Sequence, residues 1–66
     1  MYYAYNKTSD FNPQLVFKFD GFEYHSGQQF YRLKARDGYT FRLSEEVLNQ
    51  NFLLLNNPQI AEKLYD

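Results

Sequence analysis

The sequence has 66 residues, a net charge of −1 at neutral pH, no cysteine, seven phenylalanines and seven tyrosines. A chain of this length forms one domain, residues 1–66, and its small core must be built largely from aromatic rings. The lack of cysteine excludes disulfides, thiolate catalysis and cysteine-ligated zinc, and the richness in aromatic residues argues against disorder.

The chain carries no signal for a membrane or an export pathway. Its longest apolar run, FLLL at residues 52–55, is far shorter than the roughly 20 residues that a membrane helix needs. Its first ten residues lack the basic and apolar regions of a signal peptide. We therefore expect a cytoplasmic protein without a membrane partner.

The N-terminal part predicts one short strand and a loop. YYAY at residues 2–5 is suited to an edge strand, and residues 6–13 have the composition of a loop. Pro13 would end any strand that precedes residue 14, because proline lacks the amide hydrogen that a strand interior requires.

An Asp-Gly pair at residues 20–21 predicts the first hairpin turn. A two-residue turn there sets Phe19 opposite Phe22 and Lys18 opposite Glu23. Cross-strand partners lie on the same face of a sheet, so this register gives one aromatic face and one charged face. A shift by one residue would mix the two faces.

Two further glycine pairs predict the remaining turns. A two-residue turn at Ser26-Gly27 keeps Phe22 and Tyr31 on the apolar face. At Asp37-Gly38 a two-residue turn would set apolar side chains against polar ones. A three-residue loop over residues 36–38, with the glycine in the left-handed conformation, avoids this and sets Leu33 opposite Phe41.

These turns connect four antiparallel strands at about residues 14–19, 22–25, 29–35 and 39–43. Alternation along the strands gives the sheet one apolar and one polar face. The apolar face comprises Leu15, Phe17, Phe19, Phe22, Tyr24, Tyr31, Leu33, Tyr39, Phe41 and Leu43. The polar face comprises Val16, Lys18, Glu23, His25, Phe30, Arg32, Lys34, Thr40 and Arg42.

Residues 44–66 form the predicted helical segment that covers the apolar face. Ser44 suits an N-cap, and the acidic residues 45 and 46 suit the first turn of a helix that extends to about residue 55. The alternative is a helical turn at residues 45–50 followed by a fifth strand, NFLLL. A second helix begins at Pro58, with Asn57 as its cap.

The predicted fold class is therefore α+β and rich in strands. A small antiparallel meander of four to five strands at about residues 14–43 is covered on its apolar face by one or two C-terminal helices. The alternative is a small SH3-like β-barrel with a short helix before its last strand and a C-terminal helix.

Catalytic and metal-binding patterns are missing from the sequence. It has no phosphate-binding glycine loop and no His-Glu-x-x-His pattern. His25 and Glu23 are two candidate metal ligands on one face, fewer than the three that a catalytic zinc site needs. We expect no catalytic residues, no metal and no cofactor, and hence no enzyme.

The polar face provides the candidate binding residues, which are Phe30, Arg32, Lys34 and Arg42. Arg32 lies opposite Arg42 in the predicted register, and like charges at such positions repel each other. An anionic partner would relieve this repulsion, and a base could stack on Phe30. The other interpretation is a solvated outer face whose charges are balanced within the chain. A carboxylate beside Arg32 would favour the second interpretation.

The absence of catalytic patterns, the small size and the excess of tyrosine favour a non-enzymatic protein-binding module. It would act as an adaptor, inhibitor or accessory factor on an unidentified protein partner. Binding of nucleic acid or a phosphate ligand through the basic face is the alternative. A structural subunit of a larger assembly is the second alternative, and self-association to a homo-oligomer fits a chain that has no disulfides to stabilise it.

Overall fold

The computed structural model describes residues 1–5 and 15–65, so the predicted loop at 6–13 lies outside the described residues. Five strands form one antiparallel sheet in the order β4-β3-β2-β1-β5, and two helices complete the fold. The predicted α+β class is confirmed, whereas the barrel alternative is wrong, because β4 and β5 do not pair with each other. The elements are β1 (Tyr2–Tyr5), β2 (Val16–His25), β3 (Gln28–Lys34), β4 (Thr40–Leu43), α1 (Glu45–Asn51), β5 (Phe52–Leu55) and α2 (Pro58–Tyr65).

Strand β1 lies inside the sheet, not at its edge as predicted. It pairs with β2 on one side and with β5 on the other. Tyr3 and Ala4 are buried as a result, one on each face of the sheet. The prediction failed because the favoured interpretation made residues 52–55 helical, and the alternative with a fifth strand did not pair that strand with β1.

The predicted hairpin turn at residues 20–21 is wrong, because the chain does not reverse there and β2 continues to His25. Phe19 pairs with Leu33 and Phe22 pairs with Tyr31, so two residues of β2 lie opposite one residue of β3. This is a β-bulge, and Gly21 has the positive φ of 97° that glycine adopts without steric cost. A bulge and a two-residue turn both keep Phe19 and Phe22 on one face, so polarity could not distinguish them.

The other two turns are confirmed. Ser26 and Gly27 have φ values of 51° and 78°, the pair of positive values that a type I′ turn requires. In the three-residue loop, the amide of Ala35 donates to the carbonyl of Tyr39 at 2.8 Å, and Gly38 has a φ of 95°. Leu33 lies opposite Phe41, as predicted.

Residues 52–55 form a strand, so the helix favoured up to residue 55 ends earlier, at residue 51. Ser44 caps α1 as predicted, with its Oγ accepting from the amide of Val47 at 3.2 Å. Phe52 then takes extended φ and ψ values of −132° and 153°. The backbone leaves the helix here because β5 forms a ladder with β1, a tertiary interaction that overrides local helix propensity.

Helix α1 lies across the apolar face of the sheet. Its buried residue Leu48 packs with Tyr3, Leu33 and Leu43, and these four side chains form the centre of the core. Leu33 has no solvent-exposed surface. Partly buried aromatic rings surround this centre, namely Phe17, Phe19, Tyr31, Phe41 and Phe52.

Helix α2 packs on the opposite face. Ala61 is fully buried there over β1 and β2, whose buried residues Ala4 and Val16 project to this side. The hydroxyl of Tyr65 donates to the carbonyl of Ala35 at 3.2 Å and holds the end of α2 at the end of β3. Of the two predicted helices, only α1 therefore covers the apolar face, and α2 explains why Val16 is buried on the predicted polar face.

Candidate functional site on the β2–β3 arm

Arg32 and Arg42 lie directly opposite each other on β3 and β4, as predicted. All three nitrogens of the Arg32 guanidinium group have partners. Its Nε donates to Asp20 Oδ2 at 3.2 Å, its Nη1 to Glu23 Oε1, and its Nη2 to Thr40 Oγ1 at 3.4 Å. The β-bulge at residues 20–21 therefore also changes the charges on this face, because it places Asp20 beside Arg32.

Glu23 is the anionic centre of this face. Besides the bond from Arg32, its Oε2 lies 3.0 Å from Nε2 of His25 and 3.7 Å from a guanidinium nitrogen of Arg42. The hydrogen bond with His25 is the main cause that lowers the pKa of Glu23 from its usual 4.5, and Arg32 and Arg42 lower it further. Partial burial acts in the opposite direction and does not reverse the shift.

The four predicted binding residues lie on one face, but their contacts differ. The guanidinium carbon of Arg42 lies 5.6 Å from the ring centre of Phe30, within the range of a cation–π contact. The imidazole of His25 lies 5.9 Å from the same ring. Lys34 lies two residues along β3 from Arg32, and within residues 1–5 and 15–65 it makes no ion pair.

The ion pairs favour the solvated-face interpretation of these residues. Two carboxylates already occupy the guanidinium group of Arg32, and the Glu23 carboxylate is shared with Arg42. A phosphate would have to displace them before it could bind, which adds an unfavourable step to recognition of an anion. Phe30 is likewise in contact with Arg42, so a base would have to compete for that ring face.

The contact between His25 and Glu23 also concerns the metal site considered from the sequence. His25 and Glu23, the two candidate ligands, are hydrogen-bonded to each other. Over residues 1–5 and 15–65, no group of three histidine or carboxylate side chains is arranged to hold a cation.

The hairpin of β2 and β3 projects beyond its neighbours in the sheet. β1 pairs with β2 only along Val16–Lys18, and β4 pairs with β3 only from Tyr31 onward. In the described part of the chain, residues 22–30, which we call the arm, therefore pair with no third strand.

The arm displays two aromatic side chains on the apolar face of the sheet. Phe22 is 45% exposed and Tyr24 is 68% exposed. Phe22 contacts the rings of Phe19 and Tyr31 at centroid distances of 5.1 and 5.0 Å, and Gln29 donates to the hydroxyl of Tyr24 at 3.2 Å. These contacts fix the orientation of both exposed rings.

Sequence reasoning assigned Phe22 and Tyr24 to the covered core and so missed the arm. No signal in the sequence indicated it, because the predicted strands ended at residues 19 and 25 and the predicted helix extended to about residue 55. In the structure, a seven-residue helix is about 10 Å long, whereas a ten-residue strand extends over about 33 Å, so α1 cannot cover β2 from end to end. The part left uncovered is the arm.

The structure thus defines a small α+β protein: an open five-stranded antiparallel sheet with one C-terminal helix on each face. In the described part of the chain, neither helix is long and apolar enough to cross a membrane. Comparisons with known protein families, curated proteins and solved structures give no match to this chain.

Proposed function

We propose that this chain is a non-enzymatic protein-binding module that acts as an adaptor, inhibitor or accessory factor in the cytoplasm. The observation that carries the proposal is the pair of exposed aromatic rings on the arm, Phe22 and Tyr24. Aromatic side chains are enriched at the centres of protein interfaces, where they bury large areas and lose little conformational entropy.

The form of the arm supports a protein as the partner. Its apolar side presents Phe22 and Tyr24, whereas its other side presents the polar residues Glu23 and His25. An apolar patch with a polar border is the usual composition of a protein interface. We therefore expect a partner with an apolar groove that accepts the two rings.

Binding of nucleic acid or a phosphate ligand through Phe30, Arg32, Lys34 and Arg42 is the weaker proposal. Asp20 and Glu23 already balance the arginines, and nucleic-acid binding depends on cations that are available to phosphates. A role as a structural subunit of a larger assembly would use the arm in the same way, with a permanent partner.

A photo-crosslinking amino acid at position 24 tests the protein-binding proposal. The expected result is a covalent adduct with one partner protein, which forms at position 24 and not at position 39. Tyr39 is the matched control, because it is a tyrosine of similar exposure, 65%, outside the arm.

The partner identified in this way is then purified, and its affinity is measured for the wild type and two variants. Tyr24→Ser is expected to weaken binding by about tenfold or more, the usual size of a hot-spot loss, whereas Tyr39→Ser leaves affinity unchanged. Equal crosslinking at both positions, or equal affinity of the Tyr24 variant and the wild type, would contradict the proposal.

A further inference from the structure

We propose that β5 is a self-association edge, where two copies of the chain pair β5 with β5 antiparallel and form one continuous ten-stranded sheet. This inference concerns the side of the sheet opposite β4 and does not depend on the protein-binding role of the arm. Its basis is the backbone geometry, exposure and charge of residues 51–60.

The direction of the backbone groups follows from one hydrogen bond. The amide of Phe19 donates to the carbonyl of Met1 at 2.8 Å, so the backbone groups of Met1 point to β2. Backbone groups alternate in direction along an antiparallel strand. Those of Tyr2 and Ala4 therefore point away from β2, to β5.

The partners of Tyr2 and Ala4 on β5 are Leu55 and Leu53, whose backbone groups accordingly point to β1. The amide and carbonyl of Leu54 and the carbonyl of Phe52 therefore point outward from the sheet, whereas the amide of Phe52 donates to the carbonyl of Leu48 in α1. In residues 1–5 and 15–65 no strand pairs with this side of β5. Unpaired amide and carbonyl groups in this arrangement are complementary to another extended strand.

The two edges of the sheet differ in their protection. β4 carries Arg42, a charged side chain of the kind that discourages edge-to-edge pairing. β5 has no charged residue, and neither has the whole segment from residue 51 to residue 60. Two copies of β5 can therefore approach each other without electrostatic repulsion, and Leu53 and Leu54 are 54% and 48% exposed there.

Symmetry selects a second copy of the chain as the partner strand. A two-fold axis perpendicular to the sheet keeps each face on its own side, so a residue on one face pairs with a residue of the same face. The register that uses only strand residues sets Leu53 opposite Leu53 of the second copy and Phe52 opposite Leu54. The amide of Leu54 in each copy then donates to the carbonyl of Phe52 in the other, which gives two hydrogen bonds across the axis, since the amide of Phe52 already donates to Leu48.

Apolar surface beside β5 extends the contact. An open, mainly apolar cleft of about 320 Å³ lies here, and its lining residues are Met1, Tyr2, Leu54, Leu55, Asn56 and Pro58. Stable interfaces bury about 800 Å² of each partner, more than a four-residue strand provides by itself. The expected dimer is therefore weak and depends on concentration.

Sedimentation velocity of the full chain over a range of concentrations tests the association. The weight-average mass is expected to rise toward twice the monomer mass as concentration increases. A mass that stays at the monomer value at every concentration would overturn the proposal.

Charge-swap variants test the position of the axis. Leu53→Lys and Leu53→Glu each put like charges opposite each other, so each alone should weaken the dimer by about tenfold or more. An equal mixture of the two variants should restore it, because the lysine of one copy then faces the glutamate of the other. Circular dichroism checks that both variants fold, which is expected because the Leu53 side chain is exposed.

The matched controls are Tyr39→Lys and Tyr39→Glu. They alter an exposed side chain next to β4, the strand at the opposite edge of the sheet. They should leave the dimer unchanged. Two results would overturn the proposal: variants at position 53 that dimerise as tightly as the wild type, or a mixture that stays as weak as either variant alone.

Variants of the arm separate this proposal from the proposed function. Tyr24→Ser should keep the dimer, and Leu53→Lys should keep the crosslink at position 24. Loss of the dimer in the Tyr24 variant alone would assign self-association to the arm and would overturn the role of β5.

Discussion

Arg32 and Arg42 lie directly opposite each other across β3 and β4, and both contact the carboxylate of Glu23 on β2. Like charges at such positions would repel each other if they were alone. Here Glu23 draws both guanidinium groups toward itself, and Asp20 of the bulge adds a second negative charge beside Arg32. The cluster thus balances most of its own charge.

This relationship predicts how stability depends on pH. The pKa of Glu23 is lower in the folded protein than its usual 4.5, so the folded state favours the ionised carboxylate. A group with a lowered folded pKa stabilises the fold above its unfolded pKa, and this contribution is lost as the pH falls through the folded value. Urea midpoints measured from neutral pH to about pH 3 should therefore fall less steeply in Glu23→Gln than in the wild type.

The matched control for this measurement is Glu46→Gln, which removes an exposed carboxylate on α1 outside the cluster. Its acid dependence should follow that of the wild type more closely than Glu23→Gln does. Parallel curves for Glu23→Gln and the wild type would show that the carboxylate does not stabilise the folded state.

The same substitution tests the nucleic-acid alternative. If Glu23 blocks the arginines, Glu23→Gln should bind a labelled single-stranded oligonucleotide severalfold more tightly than the wild type at low salt. The gain should disappear when salt is raised, because contacts with phosphates depend on counterion release. Fluorescence anisotropy measures both effects. Tight binding by the wild type that Arg32→Ala abolishes would instead support a nucleic-acid function.

The bulge at residues 20–21 predicts an unusual tolerance to deletion. Removing Gly21 would leave Asp20 opposite Arg32, with Phe19 and Phe22 still opposite Leu33 and Tyr31, so the ladder becomes regular and both faces are kept. We expect this deletion variant to fold with native far-ultraviolet circular dichroism and cooperative unfolding.

Deletion of Gly27 is the control for the bulge experiment. Gly27 is half of a two-residue turn, so its loss shifts the register of β3 and moves side chains to the wrong face. This variant should lose cooperative unfolding. A greater loss for the Gly21 deletion than for the Gly27 deletion would show that residues 20–21 form the turn.

The core predicts a large loss for Leu33→Ala. This side chain is fully buried at the centre of the core, and truncation of such a leucine typically costs about 2–5 kcal/mol. Stabilities of about 0.05–0.15 kcal/mol per residue imply about 3–10 kcal/mol for a chain of 66 residues, so this loss would remove a large share of the total. Urea unfolding should show a much lower midpoint for the variant than for the wild type.

Val47→Ala is the matched control for the core, since the Val47 side chain lies on α1 and is 42% exposed. Its free energy of unfolding should stay within about 0.5 kcal/mol of the wild type, as for most surface substitutions. A similar loss in both variants would place the centre of the core elsewhere.

Polarity matching predicted the parts of the sheet that lie in local hairpins. The three-residue loop followed from the need to set Leu33 against Phe41, and this same register put Arg32 opposite Arg42, as the structure has it. The turn at Ser26-Gly27 was equally accessible, because its two positive φ values are favoured by short, flexible residues.

Other features depend on contacts between distant parts of the chain. The wrong turn at 20–21 paired Glu23 with Lys18, whereas the bulge brings Glu23 to Arg32. Residues 52–55 contain no clear strand periodicity, and their state is decided by β1, which lies nearly the whole chain away. Sequence patterns near each residue could not supply either interaction.

The pairing of Tyr2 with Leu55 has a consequence for the order of folding. Strands β2, β3 and β4 can form early through local hairpins, but β5 has no place to dock until β1 is already on β2. Closing so long a loop has an entropic cost that precedes any gain from contacts. The last native hydrogen bonds to form should therefore be those of β1 and β5, which would exchange their amide hydrogens earlier than β2 and β3.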